Sequence, residues 1–246
     1  VMRFTDYGAF VDIGGIDGGT SNYLRQYFQL QELPTDEAII AWADAGLPDI
    51  HNMTWAANNP FVTALYYRIY YQIGMANEFI RETTESSRNI TGANADEARF
   101  YRNEARFMRA LSYAHAIDLY GNGPFVTEND EVGVTPPQRI ERKELFKYVE
   151  AELKDLENLL KDPRTNEYGR ADKGAVWMLL SKLYLNAEVY TGEARYSDAR
   201  VYAEKVINGG YSLKANYGEL FLADNHLANN EVIFSVNFDG THTRTY

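Results

Sequence analysis

The chain contains no cysteine, which excludes disulfides, thiolate metal sites and cysteine nucleophiles and leaves its redox compartment unmarked. No apolar run approaches the roughly 18–20 residues that span a bilayer, and Val1-Met2-Arg3-Phe4-Thr5 lacks the organisation of a signal peptide. Basic residues are in deficit: 24 Lys and Arg stand against 35 Asp and Glu, a net charge of −11. Phosphate binding needs clustered Lys and Arg, and these are scattered, so composition argues against a nucleic-acid partner. The glycine-rich Gly14-Gly15-Ile16-Asp17-Gly18-Gly19-Thr20 has neither the Lys-Ser/Thr ending of a phosphate loop nor a preceding strand, and it reads as plain turn chemistry. A Gly-x-Ser-x-Gly nucleophile elbow is also missing. His51, His115, His226 and His242 show no metal-ligand spacing, so neither a cofactor nor a metal is expected.

What the chain does have is apolar and aromatic mass. Its 246 residues are 45% hydrophobic and 14% aromatic, with 19 tyrosines, enough to bury a sizeable core. Most of those tyrosines are expected to pack between helices with the hydroxyl wet, and the remainder to be exposed for ligand stacking.

The organising stretch runs from Asn103 to Thr127. Phe107, Met108, Ala110, Leu111, Tyr113, Ala114, Ala116, Ile117, Leu119 and Tyr120 are too many for one stripe, so this helix is expected to be covered on most sides. Arg102, Arg106 and Arg109 keep one narrow polar line, and Gly121, Gly123 and Pro124 end the helix abruptly.

Other helices follow from periodicity. Tyr23 to Leu33 is loosely helical, and Thr35 with Asp36 and Glu37 reads as a helix start leading into Ala38–Trp42. Asn59-Pro60 opens a helix whose stripe is Phe61, Leu65, Ile69, Ile73, Ala76 and Ile80. Tyr66, Tyr67, Tyr70 and Tyr71 flank that stripe and read as wedges against neighbouring helices. Arg142 to Lys161 turns Leu145, Val149, Leu153, Leu156 and Leu160 inward, and helices are expected over Asp172–Tyr190 and Tyr196–Ile207. A strand is expected at Val232–Val236. Met108-x-x-Leu111-Ser112-x-x-His115 lines up with Trp177-x-x-Leu180-Ser181-x-x-Tyr184, each followed by a second amphipathic helix. The reading is a mainly α chain of degenerate tetratricopeptide-like hairpins with long loops and little β structure. Residues 1–246 form a single domain incomplete at both ends, and 98–210 its helical-repeat core.

Four stretches carry a family resemblance: Leu30-Gln31-Glu32-Leu33-Pro34-Thr35-Asp36-Glu37; Glu104 to Leu111 running into Leu119-Tyr120-Gly121-Asn122-Gly123-Pro124; Trp177 to Tyr184; and Ile207-Asn208-Gly209-Gly210-Tyr211-Ser212-Leu213. Together, in this order, they resemble the SusD/RagB family of outer-membrane, starch-utilisation-type glycan-binding lipoproteins of Bacteroidetes. The resemblance implies a non-catalytic cell-surface protein that captures an oligosaccharide and sits as a lid on a SusC-like TonB-dependent transporter. Family members are about twice this long, begin with a signal peptide and a lipid-bearing cysteine, and draw much of their ligand face from a C-terminal region. The chain is therefore expected to be an N-terminal-half fragment, or the ordered part of a larger protein, whose only membrane association is a lipid anchor it does not itself contain.

A sugar site needs a flat aromatic face for the C–H side of a pyranose and planar polar groups for its hydroxyls. Trp42 offers the face, with Asp44 beside it and Arg25 earlier on the same loop-rich surface. By resemblance, members with a known sugar site use an aromatic at about this place with an Arg and an Asn; Ala45 stands where the Asn is expected. Read from the residues alone, Trp42 is either that platform or a helix-end packing residue, while Trp55 and Trp177 read as core. Two alternatives stay open: a helical-repeat scaffold with an exposed apolar groove, and an all-helical glycosidase or lyase using Asp36/Glu37, Asp96/Glu97 or Glu150/Glu152, which requires two carboxylates juxtaposed in a cleft.

Overall fold

The computed structural model describes residues 22–84, 88–131, 133–134, 136–227, 229–238 and 240–241. The glycine-rich stretch Gly14–Thr20, His242 and the chain ends lie outside them. Contacts divide the chain into two compact units: Val1–Met75 with Val236–Tyr246, and Ala76–Ser235.

In the first unit, α1 (Tyr23–Glu32) starts at Asn22, whose side-chain oxygen accepts from the Leu24 and Arg25 amides at 3.0 and 3.2 Å. Pro34 ends it. The helix expected from Thr35 to Trp42 does not form. The Thr35 hydroxyl instead donates to the Glu32 carbonyl at 2.7 Å and accepts from the Glu37 amide, a turn that closes α1. Beyond it Ala38 and Ile40 pack partly inward against Leu33, Leu47, Ile50 and Phe61 while Ile39 is 81% exposed. That two-residue alternation belongs to an extended chain.

Gly46 and Pro48 start a short helix, α2 (Leu47–His51). Gly46 has φ +90, and a side-chain carbon there would stand 2.9 Å from both Asn59 Nδ2 and Pro60 Cδ, so only glycine fits. Asn59 is the staple. Its side-chain oxygen caps the Phe61 and Val62 amides at 3.0 and 3.3 Å, and its nitrogen donates to the Gly46 carbonyl at 2.8 Å. Asn59→Ala removes both functions and leaves the Gly46 carbonyl bare; we expect a loss of about 2 kcal/mol, read as a lower denaturant midpoint at unchanged slope.

The stapled residue opens α3 (Pro60–Glu82). All six stripe positions are buried: Phe61, Leu65, Ile69, Ile73, Ala76 and Ile80 are 8% exposed or less.

In the second unit, α4 (Ala93–Leu119) is the organising helix, beginning a few turns before Asn103. Its burial from Asn103 to Ile117 runs round most of its circumference. Gly121, at φ +77, receives the stop: its amide and that of Tyr120 both donate to the Ala116 carbonyl, at 2.9 and 3.0 Å. Beyond it β1 (Gly123–Phe125) pairs antiparallel with β2 (Gln138–Ile140), setting Pro124 opposite Arg139. The Tyr113 hydroxyl holds this exit to α4 by donating to the Val126 carbonyl at 2.7 Å and accepting from its amide at 2.9 Å.

α5 (Arg142–Leu159) packs on α4, α6 (Lys173–Leu185) on α5, and α8 (Tyr196–Ile207) on α6, with the short α7 (Ala187–Thr191) between the last two. This is the tetratricopeptide-like arrangement of successive hairpins. The expected Asp172–Tyr190 helix breaks at Asn186, and Val232–Val236 forms no strand among the described residues. Phe234 instead packs edge-on against Phe107 with ring centroids 5.4 Å apart.

The Asn208-Gly209-Gly210-Tyr211 signature acquires a physical reason in this unit. A side-chain carbon on Gly174, in the first turn of α6, would lie 2.0 Å from the Tyr211 hydroxyl, so the tyrosine occupies the space that glycine leaves. Asp172 caps α6 at the Ala175 amide (3.2 Å) and accepts from the Arg164 amide (2.7 Å), while the Arg164 guanidinium reaches the Gly210 carbonyl and Asn230.

His115 on α4 titrates against this packing. Burial, then the charge of Lys182, lowers it from 6.5 to about 4, against the opposing pull of Asp118. The unfolded chain therefore binds the extra proton between pH 6.5 and 4, and stability falls as pH falls through that window. We expect His115→Gln to remove on the order of 2–3 kcal/mol of that acid dependence in unfolding curves taken at pH 7 and pH 4.

Candidate functional site

The first unit exposes large aromatic side chains. Trp42 is 58% exposed on the irregular segment between α1 and α2. Asp44 is exposed on the same segment; its main-chain oxygen accepts from the Leu47 amide at 2.9 Å, and among the described residues its carboxylate has no bonded partner. Arg25 stands in the first turn of α1, placed by the Asn22 cap and partly buried. Trp42 and Asp44 thus share one exposed segment, and no ion pair among the described residues ties Asp44 to Arg25.

Two tryptophans expected in the core lie elsewhere. Trp55, between α2 and α3, is 45% exposed. Trp177 is half-buried, its indole N–H donating to Glu157 Oε1 at 2.8 Å with the Lys205 ammonium 5.9 Å from its ring. Both misassignments come from treating tryptophan as filler when its polar edge wants a partner or water.

The second unit spends its carboxylates on structure. Glu152 takes both Arg106 (2.9 Å) and Arg109 (3.0 Å), and Glu150 takes the Tyr184 hydroxyl (2.6 Å), Lys154 and Arg195. For Glu150 and Glu152 burial pulls the carboxyl upward, but the hydrogen bonds and charges of these partners outweigh it and hold both below 4.5. A glycosidase acid needs the opposite displacement. Asp96 is paired with Arg99 and Glu97 accepts from the Tyr101 hydroxyl, both on the exposed start of α4. Among the described residues no three His, Asp or Glu side chains gather as a metal site would. An open cleft of about 660 Å³ beside Glu78, Arg81, Glu128, Asp130 and Glu131 has no aromatic wall. Arg81 is already engaged there, by the Glu128 and Asp130 carbonyls and by Glu78, so this cleft lacks the surface that a sugar ring needs.

Comparison with known proteins bears on the family and the fold. No protein-family model matches the chain. Over 239 residues, 96% of its length, it is 38% identical to the starch-binding protein SusD of Bacteroides thetaiotaomicron, covering 42% of that protein. The chain belongs to the SusD family. SusD-superfamily folds agree: a structure from Bacteroides vulgatus matches 89% of the chain at TM-score 0.73 and 19% identity, covering 45% of that protein. A laminarin-binding SusD-like protein matches the same share at TM-score 0.73 and 20% identity, covering 49%. This SusD-family chain thus spans less than half the length of the curated relatives it matches. Among the described residues no helix is long and apolar enough to cross a membrane.

Proposed function

We propose that the chain is part of a non-catalytic cell-surface protein that binds an oligosaccharide or polysaccharide and delivers it to a partner SusC-like TonB-dependent outer-membrane transporter. The observation that carries this reading is Trp42, a large flat side chain left 58% exposed on a connecting segment of a SusD-family chain. Asp44 and Arg25 supply the polar partners for sugar hydroxyls. Two relatives are described by what they hold, starch for one and laminarin for the other, and this supports a neutral glucan as the ligand class. The engagement of Glu150 and Glu152 in ion pairs supports binding without cleavage.

A glycan array with the purified wild-type chain tests the reading, followed by chromatography of the incubated sugars. Retention of a polysaccharide with no change in its chain length is the expected result. Shortened products would turn the reading into a hydrolase or lyase. No retention of any glycan, together with co-purification of a partner that is not a barrel transporter, would replace it with the protein-scaffold reading.

A further inference from the structure

We infer that the outward face of α3 carries a second glycan-stacking shelf, formed by Tyr67, Tyr71 and the gap at Gly74. The inference rests on the glycan-binding reading above and adds a site that Trp42 does not supply.

The face follows from helix geometry. Tyr67, Tyr71 and Gly74 recur at i, i+4 and i+7, so they share one side of α3, away from the buried stripe of Leu65, Ile69 and Ile73. Tyr67 is 46% exposed and Tyr71 42%. One turn of helix separates them, about 6 Å along the axis.

The tyrosines expected to wedge between helices do not all do so. Elsewhere the half-buried Tyr190 and the exposed Tyr196 spend their hydroxyls on carboxylates, Tyr190 on Asp118 and Tyr196 on Glu188. Among the described residues the hydroxyls of Tyr67 and Tyr71 have no hydrogen-bond partner. Two aromatic rings with exposed faces and unspent donor–acceptor groups match a sugar, which offers C–H bonds on one side and hydroxyls at its rim.

Gly74 is an independent pointer. Glycine inside an exposed helix is less favourable than alanine, and packing does not require it here, since a side-chain carbon at this position would meet nothing within 4 Å. In a helix a side chain leans back over the turn before its own Cα. Any residue larger than glycine at 74 would therefore lean toward the turn that carries Tyr71, and glycine leaves that ring uncovered.

The platform is also held in place. Tyr66 meets Tyr67 edge-on at 5.9 Å and Tyr70 at 4.7 Å, so the ring of Tyr67 is braced from the half-buried side. A braced ring loses little freedom when a ligand stacks on it. Among the described residues no cation stands over either ring, which favours a neutral oligosaccharide over an anionic one.

Gly74→Gln separates a binding role from a folding one, because it adds a helix-favouring residue where there is room and at the same time covers the shelf. Affinity electrophoresis in soluble starch and in laminarin, with wild type, Gly74→Gln, Tyr67→Ala/Tyr71→Ala and Trp42→Ala, reads the result. We expect Gly74→Gln to melt about 2 °C higher than wild type and to bind the retained polysaccharide roughly fivefold more weakly, with a similar or larger loss for the double tyrosine variant. If Trp42→Ala weakens binding while Gly74→Gln and Tyr67→Ala/Tyr71→Ala bind as wild type does, the shelf is overturned and the glycan-binding reading stands. If wild type is retained by neither polysaccharide on the gel nor by any sugar on the array, both fall.

Discussion

Replacing Arg109 with methionine is expected to cost about 3–5 kcal/mol of stability, the largest loss of any single ion-pair substitution in the second unit. Arg109 is 2% exposed on the organising helix α4. One guanidinium nitrogen serves Asn77 at 2.7 Å and Glu128, and the other serves Glu152 at 3.0 Å. Glu152 is itself only 15% exposed, so removing the arginine leaves it with Arg106 alone and takes from the part-buried Glu128 its ion-pair partner among the described residues. Methionine keeps the packing under the Tyr148 ring, which the guanidinium approaches to 5.8 Å, and the loss therefore reports charge rather than a cavity. The contrast is Arg200→Met. Its partner Glu204 is an i, i+4 neighbour, and both are at least half exposed, so less than about 0.5 kcal/mol is expected. Denaturant unfolding of the two variants decides the matter: an Arg109→Met loss within 1 kcal/mol of that of Arg200→Met would mean the buried network contributes no more than a surface pair.

The same network fixes an acid dependence. The folded Glu152 carboxyl lies below 4.5 because Arg106 and Arg109 outweigh the upward push of burial. Its contribution is present above that value and fades as pH falls below it, at and beyond the acid end of the window in which His115 acts.

The helices were legible where one period ran long enough to exclude another. The six-residue stripe of α3 and the four leucine and valine positions of α5, with Leu160 just past its end, are buried as their spacing demands, and α8 spans Tyr196 to Ile207 as read. The failures are local signals that tertiary contacts overrode. Thr35, Asp36 and Glu37 spell a helix start, but Ala38, Ile39 and Ile40 are claimed by the Leu33–Phe61 cluster in alternation, and an extended chain wins. β2 is three residues long and exists because the exit of α4 offers it a partner, which no window of sequence contains. For the candidate site, residue types suited to a sugar could be named from the chain, but their exposure could not. Trp42 could be named from its place in the chain, whereas Trp55 and the free faces of Tyr67 and Tyr71 depend on which side of an element the core takes. The sequence does offer Gly74, a glycine inside a helical stretch, but that a side-chain carbon there would meet nothing within 4 Å is read only from the fold.

Trp42→Ala should separate binding from folding more sharply than any other change in the first unit. The indole is 58% exposed and stands on a segment with no regular structure, so its loss should leave unfolding within about 0.5 kcal/mol of wild type. If the indole is the stacking face for a pyranose, removing it takes away the largest single contact area, and tryptophans in such positions commonly carry 1.4–2 kcal/mol, a loss of about ten- to thirtyfold in affinity. Trp55→Ala is the matched control, an indole 45% exposed on the other side of α2, and it is expected to bind as wild type does. Titration calorimetry with the polysaccharide retained on the array reads both variants. Equal losses from the two would mean that exposed indole in general, and not the position of Trp42 beside Asp44, sets the affinity. An unchanged Trp42→Ala would move the ligand off this segment, and the polar partners assigned to Asp44 and Arg25 would go with it. A selective loss at Trp42 makes Arg25→Lys the next informative variant, since lysine keeps the charge and gives up the planar fork that holds two neighbouring hydroxyls at once.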